Sequence, residues 1–115
     1  MAERRVAITG LGVLSPAGAG IDALWDSLLA GRSFTAKIAD FDASAFTTDL
    51  CGPVLNFSAR DYVPKSYRKS VKIMARDIEL AVGAAGLAVA DAGLVTSAAG
   101  EDAKLTMPSR RLGCN

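Results

Sequence analysis

The chain has 115 residues, of which 50% are hydrophobic, and a formal net charge of +1. This length suits one small domain with a buried core, and the balanced charge gives no whole-chain argument for binding nucleic acid. The sequence holds two cysteines and no histidine, which excludes a disulfide-rich scaffold, a histidine-dependent nucleophile and a histidine-ligated metal site within this chain. Because neither a secretion signal nor an apolar run of membrane-spanning length is evident, we expect a cytoplasmic protein.

The first predicted element is a short strand over residues 5–9. Its apolar centre, Val6-Ala7-Ile8, is typical of a strand that is buried on both faces. A loop rich in glycine follows. A dinucleotide-binding loop would need a third glycine where Ser15 stands and a helix directly after it, and Pro16 would interrupt that helix. We therefore interpret the glycines as a tight structural loop and expect no cofactor.

An amphipathic helix is predicted over residues 21–30. Its large apolar residues recur at the spacing of one helix face, and Gly31 supplies the stop signal. Asp22 lies near the N-terminus of the helix, where the helix dipole favours an anion. The residues of the apolar face are Ile21, Leu24, Trp25, Leu28 and Leu29.

A second helical region is predicted after a less regular segment. Residues 33–57 are typical of loop and strand, and Pro53 limits any strand there to an edge or a short piece. The helical region begins at Pro64, which suits a first helical turn, and it has a possible break near Ser70. It extends to residue 92, with Gly93 as the stop signal.

Small residues dominate the second half of this helical region. Residues 80–92 carry no charge except Asp91, which is typical of a buried helix, and their glycines and alanines would let neighbouring elements approach closely. A polar connection over 95–108 and a strand-like run at 111–115 follow. The order of these elements predicts an α/β fold whose sheet is unfinished.

Basic residues are concentrated just before this buried helix. Residues 60–76 hold six basic residues and one acid, a local net charge of +5. If residues 64–76 form one helix, five of the cations lie on a single face, where like charges repel. The face is either an ordinary solvated surface or a docking surface, and an acidic protein partner suits it better than nucleic acid does. The five cations are Lys65, Arg68, Lys69, Lys72 and Arg76.

Neither cysteine has the surroundings of a nucleophile. A reactive thiolate needs a helix N-terminus, a histidine or nearby cations, and the sequence predicts none of these beside Cys51 or Cys114. We interpret both as small core residues. The sequence therefore predicts no catalytic residue and no metal site in this chain.

Four separated segments together resemble one known family. Residues 4–16 (Arg-Arg-Val-Ala-Ile-Thr-Gly-Leu-Gly-Val-Leu-Ser-Pro) closely resemble the opening of type II β-ketoacyl-acyl-carrier-protein synthases. The segments Trp-Asp-Ser-Leu-Leu-Ala-Gly-Arg-Ser at 25–33, Phe-Asp-Ala-Ser at 41–44 and Asp-Ala-Gly-Leu at 91–94 resemble later parts of the same enzymes. They occur in the family's order and extend over nearly the whole chain.

The resemblance implies a thiolase-like fold, in which two similar α/β halves each pack a sheet against helices. Residues 1–115 would be the N-terminal portion of the first half, and so an incomplete synthase domain. The family carries out a decarboxylative Claisen condensation of acyl and malonyl carrier-protein thioesters in fatty acid or polyketide synthesis. Its catalytic cysteine and two histidines would lie beyond Asn115, so we expect this chain alone to be inactive.

The resemblance also implies partners and a docking site. Basic residues at the start of the corresponding helix contact the acidic acyl carrier protein in this family, and Lys65, Arg68 and Lys69 match those positions. The other expected partners are the remainder of the synthase chain and a second subunit, in a homodimer or heterodimer, with no nucleic acid and no membrane.

One departure from the family leaves two assignments open. The family commonly has Arg-Met-Asp before the long helix, where this chain has Ile73-Met74-Ala75. The sequence therefore does not separate fatty acid from polyketide synthesis. The alternative to a catalytic parent protein is a non-catalytic partner, either a chain-length-factor-like subunit or a carrier-docking subunit.

Overall fold

The computed structural model describes residues 5–100, 102–108 and 111–113. The chain divides into two compact units. The hairpin unit is Val13–Phe57, and the helical unit combines Met1–Gly12 with Ser58–Asn115.

The hairpin unit begins with two short antiparallel strands, β1 (Leu14–Ser15) and β2 (Gly18–Ala19). The Gly20 N–H closes the hairpin by donating to the Val13 carbonyl at 2.9 Å. Gly18 and Gly20 have φ values of 133° and 97°, a region that glycine enters without steric cost. The glycines therefore serve a tight structural turn, as the sequence predicts.

Helix α1 (Ile21–Leu29) confirms the predicted amphipathic helix. Gly31, at φ 61°, ends it in a Schellman motif, in which the Gly31 N–H donates to Leu28 and the Arg32 N–H donates to Ser27. The predicted apolar face is largely uncovered by the described residues, with Leu29 71% exposed. Periodicity thus predicts the helix correctly, while its apolar face remains without a packing partner in this structure.

The second hairpin pairs β3 (Ala36–Lys37) with β4 (Leu50–Cys51) in antiparallel register. The exposed Lys37 ammonium lies 3.2 Å from the Asp49 carboxylate. Each strand is only two residues long, and β4 ends just before Pro53, which cannot donate to a strand ladder. This agrees with the prediction of loop and short strand.

A small aromatic turn connects β3 to β4. The rings of Phe41 and Phe46 meet edge to face with centroids 5.9 Å apart. Ala43, which lies between these two residues in the sequence, is buried. The Ser44 N–H donates to the Asp42 carboxylate at 3.0 Å. This backbone hydrogen bond, followed by one from the Ser44 side chain, lowers the pKa of the Asp42 carboxyl.

The helical unit contains three short 3₁₀ helices before its long helix, α2 (Arg76–Asp91). Residues 64–76 therefore do not meet the condition of forming one helix, and the turn at residues 68–69 agrees with the possible break near Ser70. Met74 and Ala75 are extended, with ψ values of 137° and 159°, which separates α2 from the preceding turns. One α-helix would also stack five like charges on one face, and the shorter turns avoid this repulsion. The 3₁₀ helices span Ala59–Asp61, Lys65–Tyr67 and Ser70–Ile73.

Residues 10–12 lie against α2, but residues 5–9, just before them, do not form the predicted strand. Residues 5–9 are irregular in the structure, and Val6 is 93% exposed. A strand requires ladder hydrogen bonds to a neighbouring extended segment, and no described segment pairs with this one. The apolar pattern of residues 5–9 does not show whether a neighbouring strand is present.

Close packing on α2 occurs at the glycines that follow. A Cβ atom built on Gly10 would lie 2.6 Å from the Ala92 Cβ, and one built on Gly12 would lie 2.5 Å from the Ala88 nitrogen and would collide with the Ala84 carbonyl oxygen. Ordinary carbon contacts need about 3.5–4.0 Å. This confirms the expectation that the small residues of the helix allow a neighbouring element to approach.

A tertiary hydrogen bond joins the same two elements. The Leu11 N–H donates to the Asp91 carboxylate at 2.8 Å. Asp91 occupies the last turn of α2, where the helix dipole disfavours an anion. The bond to Leu11 gives this locally unfavourable residue a structural role.

Replacement of Asp91 by alanine should therefore loosen the N-terminal segment. We expect the substitution to destabilise the contact between this segment and α2 by about 1 kcal/mol, because the hydrogen bond from the Leu11 N–H is charge-assisted but exposed. Hydrogen exchange of the Leu11 amide should become about fivefold faster in Asp91→Ala, whereas Asp102→Ala, at another exposed acid, should leave it unchanged. An unaltered Leu11 exchange rate would show that the bond does not hold the segment.

The long helix ends as predicted, and a closed loop follows it. Gly93, at φ 64°, donates to the Ala90 carbonyl while Leu94 donates to Val89, which is a second Schellman motif. Val95 and Thr106 then exchange two hydrogen bonds across the connection.

The predicted strand at 111–115 is not seen where the structure describes it. Residues 111–113 are not in a strand, and residues 114–115 lie outside the described residues. As with residues 5–9, the extended run has no ladder partner among the described residues. In the described part of the chain, no helix has both the length and the apolar character needed to cross a membrane.

Candidate functional site

The candidate site is the basic run, defined as Lys65, Arg68, Lys69 and Lys72. The Arg68 N–H donates to the Lys65 carbonyl at 3.4 Å, and the Lys72 N–H donates to the Lys69 carbonyl at 3.3 Å. In turns closed by such bonds, side chains three residues apart lie on the same side. Lys65 is therefore grouped with Arg68, and Lys69 with Lys72, in two short rows instead of one stripe.

The four cations of the basic run are exposed to solvent. Among the described residues, none of them forms an ion pair. Arg76, the fifth cation of the predicted stripe, instead forms a salt bridge of 2.9 Å with Glu79 in the first turn of α2. The basic run is therefore a positive surface of the described part of the chain, with no described acid neutralising it.

A buried valine holds this surface in place. Val71 is only 4% exposed, and its carbonyl accepts from the Met74 N–H at 3.2 Å. Upstream, the Pro64 carbonyl accepts from the Tyr67 N–H at 2.9 Å. These contacts fix both ends of the basic run, so that its cations project from a defined backbone.

The structure places the start of the long helix later than the sequence predicts. The predicted helical region begins at Pro64, whereas α2 begins at Arg76. Of the four cations of the basic run, Lys72 is therefore the closest in sequence to the start of α2.

Ala75 occupies the N-cap position of α2. Its backbone is extended, and among the described residues no side chain caps the helix. Alanine is one of the poorest N-cap residues, whereas aspartate and asparagine are among the best. The family-typical aspartate would therefore suit this position on purely structural grounds.

Capping substitutions at Ala75 should stabilise α2. Ala75→Asp and Ala75→Asn should each raise the free energy of unfolding by about 1 kcal/mol. Ala75→Val, which offers no acceptor, should not. Chemical denaturation of the protein compares the three variants, and equal stability of the asparagine and valine variants would show that the cap is not the limiting feature.

The cysteines do not form a nucleophilic centre in the described structure. Cys51 is a free, half-buried thiol in β4, and Cys114 lies outside the described residues. The described residues also contain no cluster of three histidine, cysteine, aspartate or glutamate side chains that could hold a metal ion.

An apolar groove in the hairpin unit offers no catalytic groups either. Its volume is about 180 Å³, and its only titratable lining residue is Arg32. A smaller cavity in the helical unit is lined by residues without titratable side chains. Neither cavity therefore brings titratable groups together in the described part of the chain.

Comparison with known proteins shows which family the chain resembles. Residues 3–109 match the family model for the β-ketoacyl synthase N-terminal domain. The chain is 37% identical over 94 residues to 3-oxoacyl-[acyl-carrier-protein] synthase 2 of Vibrio cholerae serotype O1, covering 82% of this chain and 22% of that protein. It is 41% identical over 96 residues to granaticin polyketide putative β-ketoacyl synthase 1 of Streptomyces violaceoruber, covering 83% and 22%.

A solved structure gives the same result for the fold. The ishigamide ketosynthase/chain length factor is similar to the chain with a TM-score of 0.64 at 35% identity, covering 84% of this chain and 23% of that one. The chain thus spans about a fifth of the length of these relatives. The α/β, thiolase-like fold expected from the resemblance is confirmed. The chain belongs to the β-ketoacyl synthase family, and the part that it matches is that family's N-terminal domain.

Proposed function

We propose that the protein is a 3-oxoacyl-[acyl-carrier-protein] synthase, with residues 1–115 as the N-terminal portion of its synthase domain. Its reaction would be the decarboxylative Claisen condensation of acyl and malonyl carrier-protein thioesters. The observation that carries this proposal is the match of residues 3–109 to the β-ketoacyl synthase N-terminal domain. It is supported both by a relative named 3-oxoacyl-[acyl-carrier-protein] synthase 2 and by one named as a polyketide β-ketoacyl synthase.

The residues of this chain suit a supporting role in that reaction. Acyl transfer to a thiol needs an activated nucleophile, and the condensation needs groups that move protons or stabilise an anion. The chain has no histidine, and neither of the two cavities described above is lined by a cysteine or a carboxylate. We therefore assign the bond-making groups to the remainder of the synthase chain and carrier docking to this part.

The docking surface that we propose is the basic run. Lys65, Arg68 and Lys69 follow from the family resemblance, and Lys72 follows from where α2 begins. The support is their shared exposure and the lack of ion pairs to described acids. The partner would be an acyl carrier protein that presents an acidic face, since complementary charge accelerates encounter.

Reversing the charge of Lys65, Arg68 and Lys69 together should slow carrier association. Each exposed pair contributes about 0.2–1 kcal/mol, so we expect association about tenfold slower at low ionic strength. The loss should shrink as salt rises, because exposed charges are screened. Stopped-flow binding of acyl carrier protein to the full-length protein measures both effects, and adding Lys72→Glu should deepen them.

The matched control reverses Arg5, Lys104 and Arg111, three exposed cations of the same unit that lie outside the basic run. Both triple variants have the same net charge, so a general charge effect would slow them equally. Transfer from small acyl thioesters without a carrier should change little in either variant. Equal association rates for the wild type and the Lys65, Arg68, Lys69 variant at low salt would contradict the docking role.

A second candidate function is that of a non-catalytic, chain-length-factor-like subunit. It is favoured by the similarity to the solved structure that is named the ishigamide ketosynthase/chain length factor. In this case the protein would act as one half of a heterodimer, whereas a synthase would form a homodimer or pair with such a subunit. Acylation of the full-length protein separates the two candidates.

A further inference from the structure

We draw no further inference here: the strongest candidate, the apolar groove of the hairpin unit that is lined by residues of β1, α1 and the segment after α1 and that has Arg32 beside it, belongs to a chain that spans about a fifth of the length of its relatives, and nothing in the structure shows what covers it.

Discussion

Residues 1–115 alone are expected to show no condensing activity. The chain contains no histidine, and Cys51 is a half-buried strand residue. An activated nucleophile and acid–base groups in an enzyme each accelerate a reaction by orders of magnitude. Without these groups, residues 1–115 should show only the uncatalysed rate. Malonyl-carrier decarboxylation and acyl transfer by the purified chain are the assays.

The control for this experiment is the purity of the sample. A longer synthase at trace level would give false turnover, so the assay is repeated after denaturing size separation and refolding. A mixture with an unrelated carrier-binding protein provides the background rate. Turnover close to that of an intact synthase, from a sample free of longer chains, would contradict the assignment of catalysis to other parts of the protein.

Gly12→Ala is expected to destabilise the helical unit by about 3 kcal/mol. The new methyl group would collide with the Ala84 carbonyl oxygen and lie 2.5 Å from the Ala88 nitrogen. Both are backbone atoms of α2, so the contact can be relieved only if the N-terminal segment moves away from the helix. Denaturant unfolding of the full-length protein measures the loss, and hydrogen exchange of residues 5–12 should localise it.

The matched control is Gly113→Ala. A Cβ atom at Gly113 meets nothing within 4 Å, and neither glycine has a positive φ. On backbone entropy alone, such a substitution is neutral to slightly stabilising. If Gly12→Ala and Gly113→Ala have the same stability, the segment does not pack against α2 as the structure shows.

Local patterns predicted the elements whose determinants are local. Helix α1 follows from apolar spacing and from Gly31 as its stop, and both Schellman motifs follow from a glycine after the last turn. The tight turn at Gly18 and Gly20 follows from the glycines themselves. These features need no partner elsewhere in the chain, which is why the sequence is sufficient to predict them.

The predictions of secondary structure fail where the conformation depends on a distant partner or on a small difference in energy. Residues 5–9 have a strand pattern, but a strand is defined by a neighbour that local sequence cannot supply. The α and 3₁₀ forms of residues 65–73 differ by one residue in each hydrogen bond, so spacing of the cations could not separate them.

The most direct test of the central claim is to map acylation in the full-length protein. The protein is incubated with carrier protein that bears an acyl group. Peptide mass spectrometry then locates the cysteine that has received the acyl group as a thioester. We predict a single acylated cysteine outside residues 1–115, with Cys51 and Cys114 unmodified. If the protein takes up no acyl group, it is the chain-length-factor-like subunit instead. An acyl group on Cys51 or Cys114 would contradict the claim that residues 1–115 dock the carrier and that the chemistry takes place in the rest of the protein.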